Sequence, residues 1–132
     1  MEPKILIITH SGDNHCVDRV INHIRDNGGK ALRFNSDHYP VFVQLSAQIM
    51  ADGKIQSSLH TPDYEIDLNE LTGIWYRRLR VGDNLGRFME AQFVSPSLQE
   101  SNHTLRGAID SLEVFQLDHY MKHRIAGNKF QQ

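Results

Sequence analysis

A polar loop near the N-terminus is the first part of this sequence whose residue types and spacing could do chemistry. His10-Ser11-Gly12-Asp13-Asn14 directly follows Lys4 to Thr9, an apolar, β-branched run typical of a strand buried on both faces. Ligands bind beyond the carboxyl ends of strands in open α/β sheets, and a helix N-terminus favours anions. With one glycine, the loop matches neither a dinucleotide fingerprint nor a phosphate loop. A capped turn, with Ser11 or Asp13 as the helix cap, is therefore the favoured interpretation.

A cluster of arginine and aromatic residues is the second candidate. In Trp75-Tyr76-Arg77-Arg78-Leu79-Arg80, strand geometry would place Tyr76 and Arg78 on one face and Trp75 and Arg77 on the other. Two guanidinium groups at a strand end suit bidentate binding of a carboxylate or a phosphate. The equally weighted alternative is that the arginines form structural ion pairs and that Trp75 lies in the core.

Asp37 is the acidic residue placed to meet these two segments, because it follows the predicted second strand. It either pairs with the arginine cluster or orients a substrate, and capping of a turn is an equally weighted alternative. Asp83 and Glu90 are the other predicted acidic partners of the arginines. The candidate substrate-facing or phosphate-facing residues are His10, Ser11, Asp13, Asn14, Asp37, Tyr76, Arg77, Arg78 and Arg80.

Two further features are weaker. His119 and His123 have the i, i+4 spacing that places two metal ligands on one helix face. Since no third ligand stands at a fitting spacing, we expect solvated surface histidines and no metal site. Cys16 lies on the apolar stripe of the first predicted helix, so buried packing is favoured over a nucleophilic role.

Composition narrows the class of protein. The chain has 132 residues, enough for one domain with its own core, and a net charge of −2 that offers no basic field for nucleic acid. Its single cysteine permits no internal disulfide, which is typical of a reducing cytosol. The N-terminal apolar run is too short for a signal peptide or a membrane span. We therefore expect a cytoplasmic protein without nucleic-acid or membrane partners.

The first elements form a predicted β-α-β unit. Strands at Lys4 to Thr9 and Lys30 to Asn35 flank a helix from His15 to Asn27, whose apolar residues recur at helical spacing. Gly28-Gly29 ends that helix, and the crossover should be right-handed.

The rest of the chain completes a predicted α/β fold: a small open sheet with a β-α-β start, an inserted antiparallel hairpin and two main helices. Val41 to Met50 alternates as a half-buried strand does, and an Asp-Gly turn leads to a returning strand at Ile55 to His60. The other predicted elements are strands at Tyr64 to Asp67 and Gly73 to Arg78, and a helix from Ser95-Pro96 to about Val114.

These segments, in this order, resemble the N-terminal pre-ATP-grasp domain of the microviridin-type ATP-grasp peptide ligases, the graspetide synthetases. The resemblance covers essentially the whole chain, and the ordered set is more specific than any one motif. Where that family has Arg-Phe-Asp-Thr-Asp, this chain has Arg33-Phe34-Asn35-Ser36-Asp37, so no role that needs a carboxylate at position 35 is carried over. The matching segments are ILIITHSGDN, LRFNSDHYP, GIWYRRLR, SLQESNHTLRGAIDSLEVF and a tail with the Asn-Lys pair of the family's connecting helix.

The resemblance implies an activity for a longer protein. Such ligases bind ATP and magnesium between later domains, activate an Asp or Glu side chain of a ribosomal precursor peptide as an acyl phosphate, and let a hydroxyl or amine of that peptide attack. Their nucleotide, magnesium and leader-peptide sites would lie beyond residue 132. This chain is then expected to hold no catalytic residue and no cofactor, and to be inactive alone. Its loops at 10–14 and 76–80 would form one wall of the active-site cleft.

The resemblance also implies a domain boundary within the chain and a set of binding partners. Residues 1–122 would be the pre-ATP-grasp domain, and residues 123–132 the start of a helix that connects to an ATP-grasp region. Ile125 and Phe130 would be apolar residues that need a partner in the longer chain. The expected partners are those remaining domains, the precursor peptide and a second copy in a homodimer. The alternative is a stand-alone α/β module that recognises a peptide or a small anion, or serves dimerisation.

Overall fold

The computed structural model describes residues 2–118, and it confirms the predicted α/β class. Its helices are α1 (His15–Asp26) and α2 (Ala91–Asp110). Its strands are β1 (Lys4–Thr9), β2 (Lys30–Asn35), β3 (Gln44–Ile49), β4 (Ile55–His60), β5 (Glu65–Asp67), β6 (Gly73–Tyr76) and β7 (Phe115–Leu117). No helix among these residues is long and apolar enough to cross a membrane. The predicted histidine pair at 119 and 123 lies outside the described residues, as does the whole of the predicted connecting helix at 123–132.

The central element is a four-stranded parallel sheet in the order β2-β1-β6-β7. β1 pairs with β2 from Lys4 to Thr9 and with β6 from Ile5 to Ile8, so it is hydrogen-bonded on both edges. Its residues from Leu6 to Thr9 are fully buried, because the sheet is covered on both faces. A continuous apolar run in the sequence therefore became an interior strand, as predicted.

The two helices cover opposite faces of this sheet. On one face, Val17 and Ile21 of α1 pack with Ile7 and Ala31. On the other face, Leu105 and Ile109 of α2 join the larger core cluster that includes Leu6, Ile8, Ile74 and Tyr76. The alternation of side chains along β1 and β6 assigns each residue to one cluster or the other.

The predicted hairpin of β3 and β4 gains β5 to form a separate antiparallel sheet in the order β3-β4-β5. Leu59 and Ile66 of this sheet, together with Leu68 just after it, are fully buried in the α2-side core with Phe34 of β2. The small sheet therefore covers the β1–β2 half of the parallel sheet on the face that α2 shares.

The helices that follow the adjacent strands β1 and β6 pack on opposite faces of the parallel sheet. Helix α1 connects β1 to β2, and helix α2 connects β6 to β7 on the other side of the sheet. A reversal of this kind is a topological switch point, and in open α/β sheets it opens a crevice at the carboxyl ends of the strands. The two loops singled out from the sequence, at 10–14 and 77–80, flank this crevice.

The prediction for the second helix was wrong at both ends. α2 begins at Ala91 and contains Pro96 in its sixth position, although a proline is best tolerated in the first turn. It ends at Asp110, and the residues up to Leu117 form β7, which the sequence did not predict. A strand of three residues leaves no periodicity to detect, and its pairing with β6 is what defines it.

Two strand boundaries also differ from the prediction by more than one residue. β6 ends at Tyr76 rather than Arg78, because the backbone amides of Arg77 and Arg78 both donate to the Ile8 carbonyl at 3.1 and 3.0 Å. This shared acceptor breaks the regular ladder. β3 begins at Gln44 rather than Val41, although Val43 is buried just before it.

Gly82 is a position where the fold requires glycine, and Gly53 is its matched control. Both have a left-handed φ, of +83° and +84°, but a Cβ on Gly82 would meet Leu98 Cδ1 at 2.6 Å, whereas a Cβ on Gly53 would meet no atom within 4 Å. We expect Gly53→Ala to cost about 1 kcal/mol from backbone strain alone. Gly82→Ala should cost about 1–3 kcal/mol more, because Leu98 of α2 must move. Urea unfolding of both variants measures this difference, and equal losses would contradict the packing of this loop against α2.

Candidate functional site

The loops after β1 and β6 meet through an ion pair at the switch point. Arg77 donates from Nε to Asp13 Oδ2 at 2.8 Å and from Nη2 to Oδ1 at 3.3 Å, a bidentate arrangement. The Asp13 carboxylate also accepts from the Thr9 hydroxyl and from the Asn14 backbone amide. The Asp13 side chain is only 2% exposed, whereas that of Arg77 is 22% exposed. Asp13 is therefore a buried anion that is fully satisfied by its neighbours.

These contacts control the ionisation of both partners. The hydrogen bonds from Arg77 outweigh the burial of the Asp13 carboxyl and, with help from Thr9, hold its pKa far below its ordinary value. The same hydrogen bonds raise the pKa of Arg77. The Arg77 guanidinium also lies 5.4 Å from the centre of the Trp75 ring, a cation–π contact on the α1 face. Trp75 and Arg77 thus share a face, as the sequence predicted.

The three arginines of the cluster have different surroundings. Arg77 is held by Asp13, and Arg80 forms a surface ion pair with Asp83 at 2.9 Å, one of the partners predicted for the cluster. Arg78 is exposed, and its side chain makes no hydrogen bond or ion pair with any residue in the 2–118 range. Of the three, Arg78 is thus the guanidinium left open to a ligand.

Asp37 joins the opposite side of the first loop. Its carboxylate accepts from the Ser11 backbone amide at 2.8 Å and from the Ser11 hydroxyl, and its backbone carbonyl accepts from Asn84 Nδ2 at 3.2 Å. Burial opposes ionisation of Asp37, but the hydrogen bonds from Ser11 prevail and its pKa lies below the ordinary value. Asp37 therefore links the loop after β1 to the loop after β6 without pairing with an arginine, contrary to that prediction.

Ser36 is a structural member of this site that the sequence did not reveal. Its buried hydroxyl donates to the Thr9 carbonyl at 2.7 Å and accepts from the Arg80 backbone amide at 2.9 Å. One small side chain therefore connects the ends of three segments that are distant in sequence. Nothing in the local pattern around a lone serine signals such a role.

Arg33 is a second residue that the sequence did not single out. Its guanidinium donates to the His10 carbonyl at 3.0 Å and to Asn35 Oδ1 at 2.9 Å, and pairs with Asp18 at 3.4 Å. It thereby supports the first loop from the β2 side. The amide of Asn35 serves here as a neutral acceptor for an arginine, a role that needs no carboxylate.

The remaining candidates divide between the loop and the core. Asn14 caps α1 by accepting from the Cys16 amide at 3.2 Å, so the predicted caps Ser11 and Asp13 were wrong. Cys16 is exposed rather than buried, because its position in the first helical turn lies off the stripe that contacts the sheet. Tyr76 is 3% exposed and packs in the α2-side core. The candidates nearest solvent are thus His10, Ser11, Asn14, Arg78 and Arg80.

The described residues do not suit a metal. Within residues 2–118 no group of three or more His, Cys, Asp or Glu side chains is close enough together to hold one. The carboxylates of Asp13 and Asp37 already accept the hydrogen bonds described above.

The Asp13–Arg77 pair makes a prediction about stability. Arg77→Ala should cost about 3 kcal/mol at neutral pH, because it leaves the buried Asp13 carboxylate without its counter-charge. Asp13→Asn should cost less, since Arg77 is partly exposed and can be hydrated. Denaturant unfolding of both variants measures the two costs. A larger loss for Asp13→Asn would contradict the assignment of Asp13 as the buried anion.

The depressed pKa of Asp13 also determines how the free energy of unfolding should change with pH. In the wild type, the pair contributes stability above the unfolded pKa, about 3.9, and loses it as the pH falls toward the lower folded pKa. In Arg77→Ala the buried carboxyl has no such depression and is readily protonated in acid. The difference in unfolding free energy between wild type and Arg77→Ala should therefore shrink between pH 7 and pH 3. A constant difference over that range would contradict this linkage.

Comparisons with known proteins agree on one family. The family model described as the MvdD pre-ATP grasp domain matches residues 4–124. Among solved structures, a RiPP-associated ATP-grasp ligase from Chryseobacterium gregarium, in complex with ADP and a leader and core peptide, is 34% identical with a TM-score of 0.87. The alignment covers 98% of this chain and 39% of that one. No curated protein matches the chain.

Two macrocyclases from Microcystis aeruginosa MRC are similar to the same extent. MdnC, bound with the precursor peptide MdnA, is 34% identical with a TM-score of 0.83, and the alignment covers 97% of this chain and 42% of MdnC. MdnB is 32% identical with a TM-score of 0.87, and the alignment covers 97% of this chain and 41% of MdnB. The chain thus spans about two fifths of the length of these structures and resembles their N-terminal part. By the match of the family model over residues 4–124, supported by these likenesses, the chain belongs to the MvdD pre-ATP-grasp domain family.

Proposed function

We propose that this chain is the N-terminal domain of an ATP-grasp ligase that forms intramolecular ester or amide crosslinks in a ribosomal precursor peptide. Its role there is to supply one wall of the active-site cleft, at the crevice between β1 and β6. The support is the coincidence of two facts: the family match, and a set of polar loops gathered at the switch point of the sheet. The partners of the domain are the remaining domains of the ligase and the precursor peptide.

The observation that carries the proposal is the difference between Arg77 and Arg78. Arg77 is engaged by the buried Asp13, so its guanidinium holds the two loops together and is not available to a ligand. Arg78, the next residue, is exposed and without a partner in residues 2–118. A precursor peptide that is to be crosslinked through Asp or Glu side chains presents carboxylates, and a guanidinium binds carboxylates in a bidentate manner. We assign Arg78 as the group that positions such a carboxylate.

The neighbouring loop residues have supporting roles in this proposal. The hydroxyl and amide of Ser11 are bound to Asp37, which keeps the first loop in place and leaves His10 and Asn14 at its surface. The rigid base of the site is thus provided by Asp13 and Asp37, while the ligand-facing surface is provided by exposed side chains. Preorganisation of this kind reduces the entropy lost when a peptide binds.

The ligation chemistry itself belongs, in this proposal, to the rest of the longer enzyme. ATP and magnesium would supply activation of the peptide carboxylate there, and this domain alone would be inactive. What residues 2–118 contribute is orientation of the peptide and exclusion of solvent from one side of the cleft. The cytoplasmic location and the pairing of two copies stay predictions.

Replacement of Arg78 tests the proposal in the full-length enzyme. Arg78→Ala should raise the KM for the precursor peptide or lower its turnover by roughly 10-fold to 100-fold, the equivalent of one charge-assisted hydrogen-bonded contact of about 1.5–3 kcal/mol. Its unfolding free energy should be almost unchanged, because the side chain is exposed. Crosslinking of the peptide, followed by mass as water is lost, and calorimetric titration of the peptide measure the two quantities.

Arg25→Ala is the matched control. Arg25 is also exposed, but it lies in the last turn of α1, at the amino-terminal edge of the sheet and away from the crevice. Its replacement changes the net charge by the same amount and should leave peptide affinity and turnover intact. If both variants lost peptide affinity or turnover equally, the cause would be the change in net charge and not a contact made by Arg78. If Arg78→Ala lost neither, Arg78 would not be part of the peptide site.

A further inference from the structure

The edge strands of the two sheets differ in how they are protected against pairing with another chain. An edge strand leaves a row of backbone amides and carbonyls unpaired, and charged side chains, proline or a short length usually prevent a further strand from joining it. Among residues 2–118 the edge strands are β2, β7, β3 and β5. β2 carries Lys30 and Arg33, β5 carries Glu65 and Asp67, and β7 has three residues. β3 has six residues, and none of them is charged, a proline or a glycine.

The backbone groups on the free edge of β3 follow from its pairing with β4. The Met50 amide donates to the Lys54 carbonyl at 2.8 Å, and the antiparallel register continues from there along the whole of β3. In an antiparallel pair, residues that hydrogen-bond the neighbouring strand alternate with residues whose amide and carbonyl point away from it. No strand within residues 2–118 pairs with this other edge. The residues whose amide and carbonyl face the free edge are Leu45, Ala47 and Ile49.

The side chains of the same three residues lie on the face of the small sheet that contacts the core. Leu45 pairs with Leu59, which is fully buried, so every second residue of β3 shares that face. The hairpin extends beyond the core, and Ile49 near its end is 76% exposed. Ile55, its partner on β4, is 57% exposed. The free edge of β3 therefore ends in an apolar patch that residues 2–118 leave uncovered.

A second copy of the chain satisfies this edge completely in one register. With a two-fold axis through Ala47, Ala47 lies opposite itself, and Leu45 lies opposite Ile49 of the other copy. Each of these pairs exchanges two hydrogen bonds, so every backbone amide and carbonyl on the free edge gains a partner. An axis through Ser46 or Gln48 would instead set one of the three residues opposite a position outside β3.

We propose that β3 pairs antiparallel with β3 of a second copy around Ala47, so that the two small sheets form one continuous sheet. In this pairing the exposed Ile49 is covered by Leu45 of the other copy, and on the solvent face Ser46 lies beside Gln48. No charged side chains of β3 meet across the axis, so the two copies do not repel each other there. The pairing depends on β3 alone and is independent of the peptide site proposed above.

Ala47 is the position where an added charge tests this pairing most directly, because the axis places it opposite itself. In the chain of residues 1–132, sedimentation at high micromolar concentration should give a dimer of twice 15.2 kDa. Ala47→Lys and Ala47→Glu should each raise the dissociation constant of the dimer at least about 10-fold, because like charges then lie directly opposite each other. An equimolar mixture of the two variants should restore dimerisation, because unlike charges then meet. Misfolding of either variant would not be reversed by mixing.

Gln56→Lys is the matched control. Gln56 is exposed on β4, which is paired on both edges, so a lysine there adds the same charge to the small sheet away from its free edge. The dissociation constant of this variant should equal that of the wild type. A wild-type chain that sediments as a monomer would overturn the proposal, and so would equal weakening by Gln56→Lys. A dimer that both Ala47 variants leave intact, or a mixture that associates no more tightly than either variant alone, would also contradict it.

Discussion

The buried carboxylate of Asp13 is the constraint on which the arrangement of this domain's polar edge depends. An ionised carboxylate that is 2% exposed is tolerated only when a counter-charge and hydrogen-bond donors surround it. Arg77 meets that requirement, and it can do so only if the loop after β1 lies against the loop after β6. The buried charge thus determines how two segments 64 residues apart are placed. The hydroxyl of Ser36 and the carboxylate of Asp37 then complete the connection to β2.

The same constraint separates three arginines that look equivalent in the sequence. Arg77 lies beside the buried anion and serves the structure, whereas Arg80 meets Asp83 at the surface, where an ion pair contributes little. Arg78 follows the irregular end of β6, where two successive amides share one carbonyl, and its side chain faces solvent. Burial of the partner, rather than the type of residue, decides which arginine is available for binding.

The parallel sheet connects this polar edge to the proposed ligase. Its switch point provides a crevice at the carboxyl ends of β1 and β6. The similar solved structures are about two and a half times as long, and they include an ATP-grasp ligase in complex with a leader and core peptide and a macrocyclase bound with a precursor peptide. An apolar groove lined by Trp75, Phe115 and Leu117 lies beside α1 on one face of the sheet, whereas the crevice lies at the strand ends. One domain therefore presents two different surfaces, a polar one at an edge and an apolar one on a face. Each follows from the directions in which the crossovers run.

The sequence by itself determined the elements that have strong local signals. The apolar run of β1, the helical stripe of α1 and the Asp-Gly turn of the hairpin are each encoded within about a dozen residues, and the ordered motifs indicated the family. Only the tertiary structure decided the partner of each polar group: Asp13 with Arg77, Asp37 with Ser11, and Ser36 between two loops. It also decided that Pro96 lies within a helix and that β7 exists, because packing and strand pairing outweigh local preference there. Contacts between residues distant in sequence depend on topology, and one sequence carries no local pattern for them.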